Sequence, residues 1–129
     1  MPVIFKVNNK CGYFIATWEG IITDSELLSA YKNFVESDEW SPGLNELADL
    51  SKTNFEKLSS NGLQALGTYA EQVYLNNNSS IKTAAYCPND LPFGIARIYE
   101  AWSHDSLENV KVFRERHIAE TWLTNEKEN

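Results

Sequence analysis

Three places along this 129-residue chain put chemically capable side chains beside elements that could aim them. The first is Asp49, at the end of the apolar run Leu47-Ala48-Asp49-Leu50. A carboxylate in a buried strand needs partners. Asp49 is therefore the foremost polar candidate, for proton transfer or as a cap on the loop amides around Thr53 and Asn54. The second place is Ser59-Ser60-Asn61-Gly62, which opens a helical pattern. Free amides at a helix start favour an anion or a phosphorylated hydroxyl, and Ser59 or Ser60 also suits the N-cap. The third comprises Asn89, Asp90, Arg97 and Arg114. Arg97 lies among apolar neighbours in Gly94-Ile95-Ala96-Arg97-Ile98-Tyr99, where it can pair with Glu100 or Asp90 or face an anion.

These residues do not add up to a catalytic set. Nucleophilic catalysis needs a nucleophile, a base and an orienting group. The two histidines, His104 and His117, lie in polar, charged surroundings with no Cys or Ser partner suggested by spacing. No CxxC, HxxxH or Asp-x-Asp pattern marks a metal site, and no GxGxxG or Walker sequence marks a nucleotide site. No cofactor is expected. Cys11 and Cys87 read as buried thiols of a reducing compartment. The formal net charge of −7 disfavours nucleic-acid binding and docking on anionic membranes. No apolar stretch approaches a membrane span, and the N-terminus lacks signal-peptide character, so the expected location is cytoplasmic.

The elements that must position these residues follow from periodicity. Residues 3–7 alternate as a strand, Asn8 to Gly12 is turn chemistry, and residues 13–18 are aromatic and β-branched. Together they predict an antiparallel hairpin ended by Gly20. Thr23 and Glu26 form a capping-box pattern ahead of a stripe of Leu27, Leu28, Tyr31, Phe34 and Val35. Residues 44–50 predict a third strand. A second helix follows, with Leu63, Leu66, Ala70, Val73 and Tyr74 as its stripe, and Gly62 and Gly67 serving packing. Residues 81–87 predict a strand covered on both faces. Asp90 is expected to cap a third helix buried through Ile95, Ile98, Tyr99 and Trp102. Residues 109–113 predict a last strand, and residues 115–123 a helix with Ile118, Trp122 and Leu123 inward.

The order ββαβαβαβα predicts one α/β domain over residues 1–129. Its five-stranded sheet is mostly parallel, with an antiparallel first strand and four covering helices, on one face or on both. Strand ends then bring Asp49, Asn89, Asp90 and Arg114 to the carboxyl edge, where open α/β sheets place their working surfaces.

That order, with Ser59-Ser60-Asn61-Gly62-Leu63 after the strand end Asp49-Leu50-Ser51, resembles the STAS domain of anti-anti-sigma factors, the SpoIIAA-like fold. The segments Phe93-Gly94-Ile95-Ala96-Arg97-Ile98-Tyr99, Val110-Lys111-Val112-Phe113-Arg114 and Ala119-Glu120-Thr121-Trp122-Leu123 are similar to a bacterial branch of uncharacterised SpoIIAA-like proteins. The resemblance implies a non-enzymatic regulatory or protein-interaction domain. Two positions depart from the regulatory pattern. Asn61 stands where those domains carry the phosphorylated hydroxyl, and Ser59 stands where they carry the motif aspartate.

Three functional readings remain. The first is the interaction domain, with Trp40 and other aromatics as a contact patch or homodimer face. The second is a small-molecule or lipid-binding module, since the SpoIIAA-like fold resembles that of Sec14-type domains and an aromatic-rich set can line a pocket for a small apolar ligand. It turns on whether Tyr69, Tyr74, Phe93 and Trp102 enclose a cavity. The third is an enzyme using Asp49 or Arg97.

Overall fold

The structure, a computed structural model, describes residues 2–103 and 106–124. Strands β1 (Val3–Asn8) and β2 (Tyr13–Ile21) form the expected hairpin. Its turn is closed by the amides of Cys11 and Gly12, which donate to the Asn8 carbonyl. Gly12 takes φ +75° there, a conformation that a side chain would strain. Helix α1 (Asp24–Val35) begins with the complete capping box: the Glu26 amide donates to Thr23 Oγ1, and the Thr23 amide donates to the Glu26 carboxylate. Then come β3 (Asn45–Asn54), a short 3-10 turn (Phe55–Lys57), α2 (Ser60–Asn76), β4 (Ile81–Tyr86), α3 (Asp90–Trp102), β5 (Glu108–Phe113) and α4 (Arg116–Thr124).

The sheet order is β1-β2-β3-β4-β5, antiparallel at β1–β2 and parallel elsewhere. Three helices cover one face and α4 covers the other. Strand alternation sorts the side chains between them. Glu46, Ala48 and Leu50 of β3, with Thr83 and Ala85 of β4, face α1, α2 and α3, whereas Leu47 and Ala84 pack against Ala119, Trp122 and Leu123 of α4. The larger core is aromatic: Phe5 stacks on Phe34 at 4.3 Å, and Trp18 meets Tyr31 and Phe55 edge-on.

Several expectations shift in position. Strand β3 continues to Asn54, so Asp49 lies mid-strand rather than at its end. Asn89, not Asp90, is the N-cap residue of α3, and it makes no side-chain cap bond. On α3 the buried line runs through Pro92 and Ala96, with Ile95 and Tyr99 partly covered. The small Ala96 side chain lets this helix approach the sheet, which turns Ile98 and Trp102 outward. Ile118 is likewise exposed, because α4 has nine residues and its inward face is filled by Ala119, Trp122 and Leu123. Cys87 is buried as expected, but Cys11 is exposed in the hairpin turn.

Helix α2 is clamped to α1 at its first turn. Ser59 Oγ accepts from the Gly62 amide, while the Ser59 amide and hydroxyl both donate to the Asp24 carboxylate. A Cβ built on Gly62 would lie 2.1 Å from Asp24 Oδ1 and 2.9 Å from Asp24 Cβ. Alanine normally gains about 1 kcal/mol over glycine inside a helix. Here it must turn Asp24 away and sever both Ser59 bonds, each worth about 1 kcal/mol or more. Gly62→Ala is therefore expected to lower stability by about 1–2 kcal/mol in denaturant unfolding. In an Asp24→Ala background the same change should be neutral or stabilising; an equal loss in both backgrounds would contradict the clamp.

Candidate functional site

The expected site residues are mostly engaged with one another or with neighbours. Asp49 Oδ1 accepts from the Ser51 amide (2.9 Å) and hydroxyl (2.7 Å), and its Oδ2 accepts from Arg116 Nη1 at 3.0 Å. The Ser51 turn and Arg116 thus take the place of the Thr53 and Asn54 amides, because the longer β3 carries those residues past reach. Asn89, Asp90 and Arg114 do come together at the carboxyl edge. Arg114 Nη1 donates to Asp90 Oδ1 (2.7 Å) and to the Pro88 carbonyl, its guanidinium lies 4.0 Å from the Phe93 ring centre, and Asn89 donates to the Ser51 carbonyl. Arg97 is outward and pairs with Glu100 at 2.8 Å. Ser59 and Gly62 belong to the α1–α2 clamp, with Ser60 and Asn61 exposed beside them. Asp49 faces α4 while Ser59 sits by α1, so these residues do not form one constellation. His117 is exposed near Glu115, and His104 lies outside the described residues. Among the described residues no group of three His, Cys, Asp or Glu side chains is placed to hold a metal ion.

A different group converges inside the fold, at the amino-terminal half of the parallel strands. Glu46 of β3 and Glu108 of β5 are 5% and 6% exposed, on the face covered by α1, α2 and α3. They flank Thr83 of β4, whose backbone pairs with Glu46 and whose hydroxyl donates to Glu108 Oε2 at 2.7 Å. Tyr99 of α3 donates to Glu108 Oε1 at 2.9 Å. On the far side, Trp18 Nε1 donates to the Tyr31 hydroxyl at 3.1 Å. That leaves the single Tyr31 proton to donate to Glu46 Oε2. Between these groups and α2 lies a cavity of about 70 Å³, lined also by Leu63, Tyr69, Ala70, Val73 and Tyr74 of α2 and by Trp40.

The walls explain the electrostatics. Among the described residues no Lys, Arg or His lines the cavity. Burial pushes the Glu46 carboxyl up from 4.5 to about 8, and the neighbouring Glu108 charge adds to the rise, against the Tyr31 hydrogen bond. Burial raises Glu108 too, but hydroxyls on both of its oxygens favour its ionised form. Of the two, Glu108 is the acid whose charge is stabilised by donors on both oxygens, and Glu46 is the one pushed towards its neutral form. Burial and the facing carboxylates raise Tyr31, Tyr74 and Tyr99 far above the usual phenol range, so all three stay neutral donors.

Tyr69 and Tyr74 line this cavity, whereas Phe93 lies under Arg114 and Trp102 stands at the surface. Trp40, expected in a contact patch, is half-buried against Tyr74. A second, outer groove of about 550 Å³ runs between α2 and α3 and ends at Tyr99 and Glu108.

The sequence matches no protein-family model and no curated protein. Among solved structures, the chain resembles an uncharacterised protein of the DUF3478 family from Shewanella loihica, which has a SpoIIAA-like fold. The likeness covers 94% of this chain and 91% of that one, at 14% identity and a TM-score of 0.55. The fold is SpoIIAA-like. The five-stranded mixed sheet and four helices are those the STAS resemblance implied, and the likeness extends to the fold alone. No helix among the described residues is long and apolar enough to cross a membrane.

The acid pair sets a pH dependence. Between pH 4.5 and about 8 the folded chain keeps a proton on Glu46 that the unfolded chain has released. The stability tied to this group is therefore complete below about 4.5 and is lost as pH rises towards 8. Glu46→Gln, which keeps the shape without the titration, is expected to gain in Tm relative to the native chain from about pH 5 to about pH 8. A Tm difference that does not change with pH would contradict a raised Glu46.

Proposed function

We propose that this SpoIIAA-like domain acts by binding a small molecule in the chamber between the sheet and helices α1, α2 and α3. The observation that supports this reading is a cavity with apolar walls and a few convergent polar groups. Glu46, Glu108 and Thr83 form its floor, aromatic rings form its sides, and α2 forms its roof. Such a combination is the usual chemistry of a ligand site: apolar surface for affinity and sparse polar groups for orientation. A solid core would have no use for two carboxyls, whose burial costs free energy even when hydrogen-bonded. The carboxyl-edge residues support the reading by contrast, since Asp49, Asp90 and Arg114 are taken up in bonds to neighbouring groups.

A second reading, a regulatory protein-interaction domain in the cytoplasm, is favoured by one observation of its own. Leu91, Ile98 and Trp102 of α3 are 67%, 52% and 42% exposed and stand on one side of that helix. The two readings are compatible, because α3 also supplies Tyr99 to the chamber.

Filling the chamber separates them. Ala85 of β4 lines it and is 6% exposed. Ala85→Leu is expected to cost about 1–3 kcal/mol by overpacking while leaving the fold intact. In protein-observed methyl NMR with fragment-sized probes, the native protein should bind fragments that perturb the Leu63, Leu66 and Val73 methyls, and Ala85→Leu should lose them. Fragments that never perturb those methyls, or that bind both proteins equally, would contradict the chamber as the site.

A further inference from the structure

We propose that the chamber's ligand is a small organic ammonium ion with a short apolar body, admitted through the groove between α2 and α3 past Tyr99. This rests on the chamber being the binding site, and it names the ligand chemistry.

The first support is buried charge in an apolar chamber. Glu108 and Glu46 are both more than nine-tenths buried, and among the described residues no cationic side chain lines their cavity. A buried carboxylate is normally paired with a cation. Here hydroxyls of Tyr31, Thr83 and Tyr99 substitute, satisfying Glu46 Oε2 and both Glu108 oxygens. Tyr31 engages Glu46 Oε2, and the Glu46 side chain lines the chamber. An ammonium N–H gives this carboxyl, once ionised, a further donor and a counter-charge.

The second support is the wall. Trp18, Tyr31, Tyr69 and Tyr74 line the same chamber as the acid pair, with Lys32 Nζ 5.7 Å from the Tyr69 ring centre. Aromatic rings attract a cation through their faces, and more strongly where water is excluded. The rest of the lining is apolar apart from the Trp40 indole nitrogen and the Thr83 and Tyr99 hydroxyls, and both hydroxyls already donate to Glu108. A volume of about 70 Å³ suits a body on the order of five heavy atoms.

The third support is the route. The outer groove and the inner chamber share Leu63, Tyr99 and Glu108 as lining. Gly67 flanks Tyr99, and a Cβ there would already touch the ring at 3.4 Å. Tyr99 and Glu108 therefore stand between the groove and the chamber, with Gly67 leaving room for the Tyr99 ring. Glu71, on the groove wall, adds a second negative charge near the entrance while accepting from the Leu107 amide.

Binding of an ammonium ion lowers the cost of ionising Glu46, so its proton is released to solvent and the carboxylate becomes a second acceptor. The groups facing this carboxyl are Tyr31 from α1, Tyr74 from α2, Tyr99 from α3, Thr83 from β4 and Glu108 from β5. The tyrosines stay neutral, which leaves the acid pair to set the pH dependence.

The test is a thermal-shift and calorimetric series on the full chain with n-butylamine, isobutylamine and piperidine hydrochlorides. Their neutral counterparts n-butanol and tetrahydropyran, together with sodium and potassium chloride, serve as controls. The amines should bind at least tenfold more tightly than the neutral molecules, tighten from pH 6 to pH 9, and weaken about tenfold or more in Glu46→Gln. The pH series on the native chain stands even where that variant folds poorly. Neutral probes binding as well as the amines, or simple salt protecting as well, would overturn the ammonium assignment and keep the chamber reading. Binding of neither class would overturn the chamber reading itself.

Discussion

The constraint on which this structure turns is the burial of Glu46 and Glu108 beneath three helices, with no cationic side chain among the described residues lining their cavity. An isolated carboxylate inside a protein costs several kcal/mol, and two side by side cost more. The fold meets this by aiming hydroxyls at them from three different elements. Tyr31 comes from α1, Thr83 from β4 and Tyr99 from α3. Each of those donors is in turn placed by its own packing. Tyr31 is fixed by the Trp18 indole and by the edge of Phe5, and Tyr99 lies against Gly67 of α2. The two acids therefore tie α1 and α3 to the sheet through polar contacts as well as through apolar burial.

The same constraint orders the rest of the layer. Helix α2 cannot settle onto the sheet as a hydrophobic roof would, because polar groups lie beneath it. Its small and aromatic residues, Ala70 and Tyr74 among them, arch over the chamber. Its first turn is held sideways to α1 through Ser59 and Asp24. On the opposite face, α4 packs densely onto Leu47 and Ala84 through Trp122 and Leu123. One face of the sheet is thus a conventional core, and the other is a core with a polar floor.

The element order and the hairpin were legible because strand alternation, the capping box at Thr23 and the turn at Asn8 to Gly12 are local signals. Ser59 as a cap was legible for the same reason. The orientation of α3 was not: Ile98 and Trp102 fit an inward stripe, but packing of Ala96 against the sheet rotated them out. Asp49 drew notice as a buried acid, yet its partner Arg116 lies 67 positions away, a distance no local pattern spans. The acid pair has a sequence signal of its own. In residues 44–50 the alternation places Glu46 with Leu44, Ala48 and Leu50 on one face, and a charged residue in that register is either an error of assignment or a buried acid. Glu108 carries a weaker hint through Val110 and Val112. What no sequence pattern contained was that β3 and β5 flank the same Thr83.

The most direct measurement is the carboxyl-carbon titration of Glu46 and Glu108 by carbon-13 NMR, with Glu46→Gln fixing the assignment. The account predicts a Glu46 midpoint near 8, with Glu108 titrating before it and both above the ordinary glutamate value of 4.5. Two carboxyls that both ionise at or below 4.5 would mean that the chamber is open to water or already holds a cation from the protein. The acid pair would then carry neither the fold's polar floor nor its ligand chemistry.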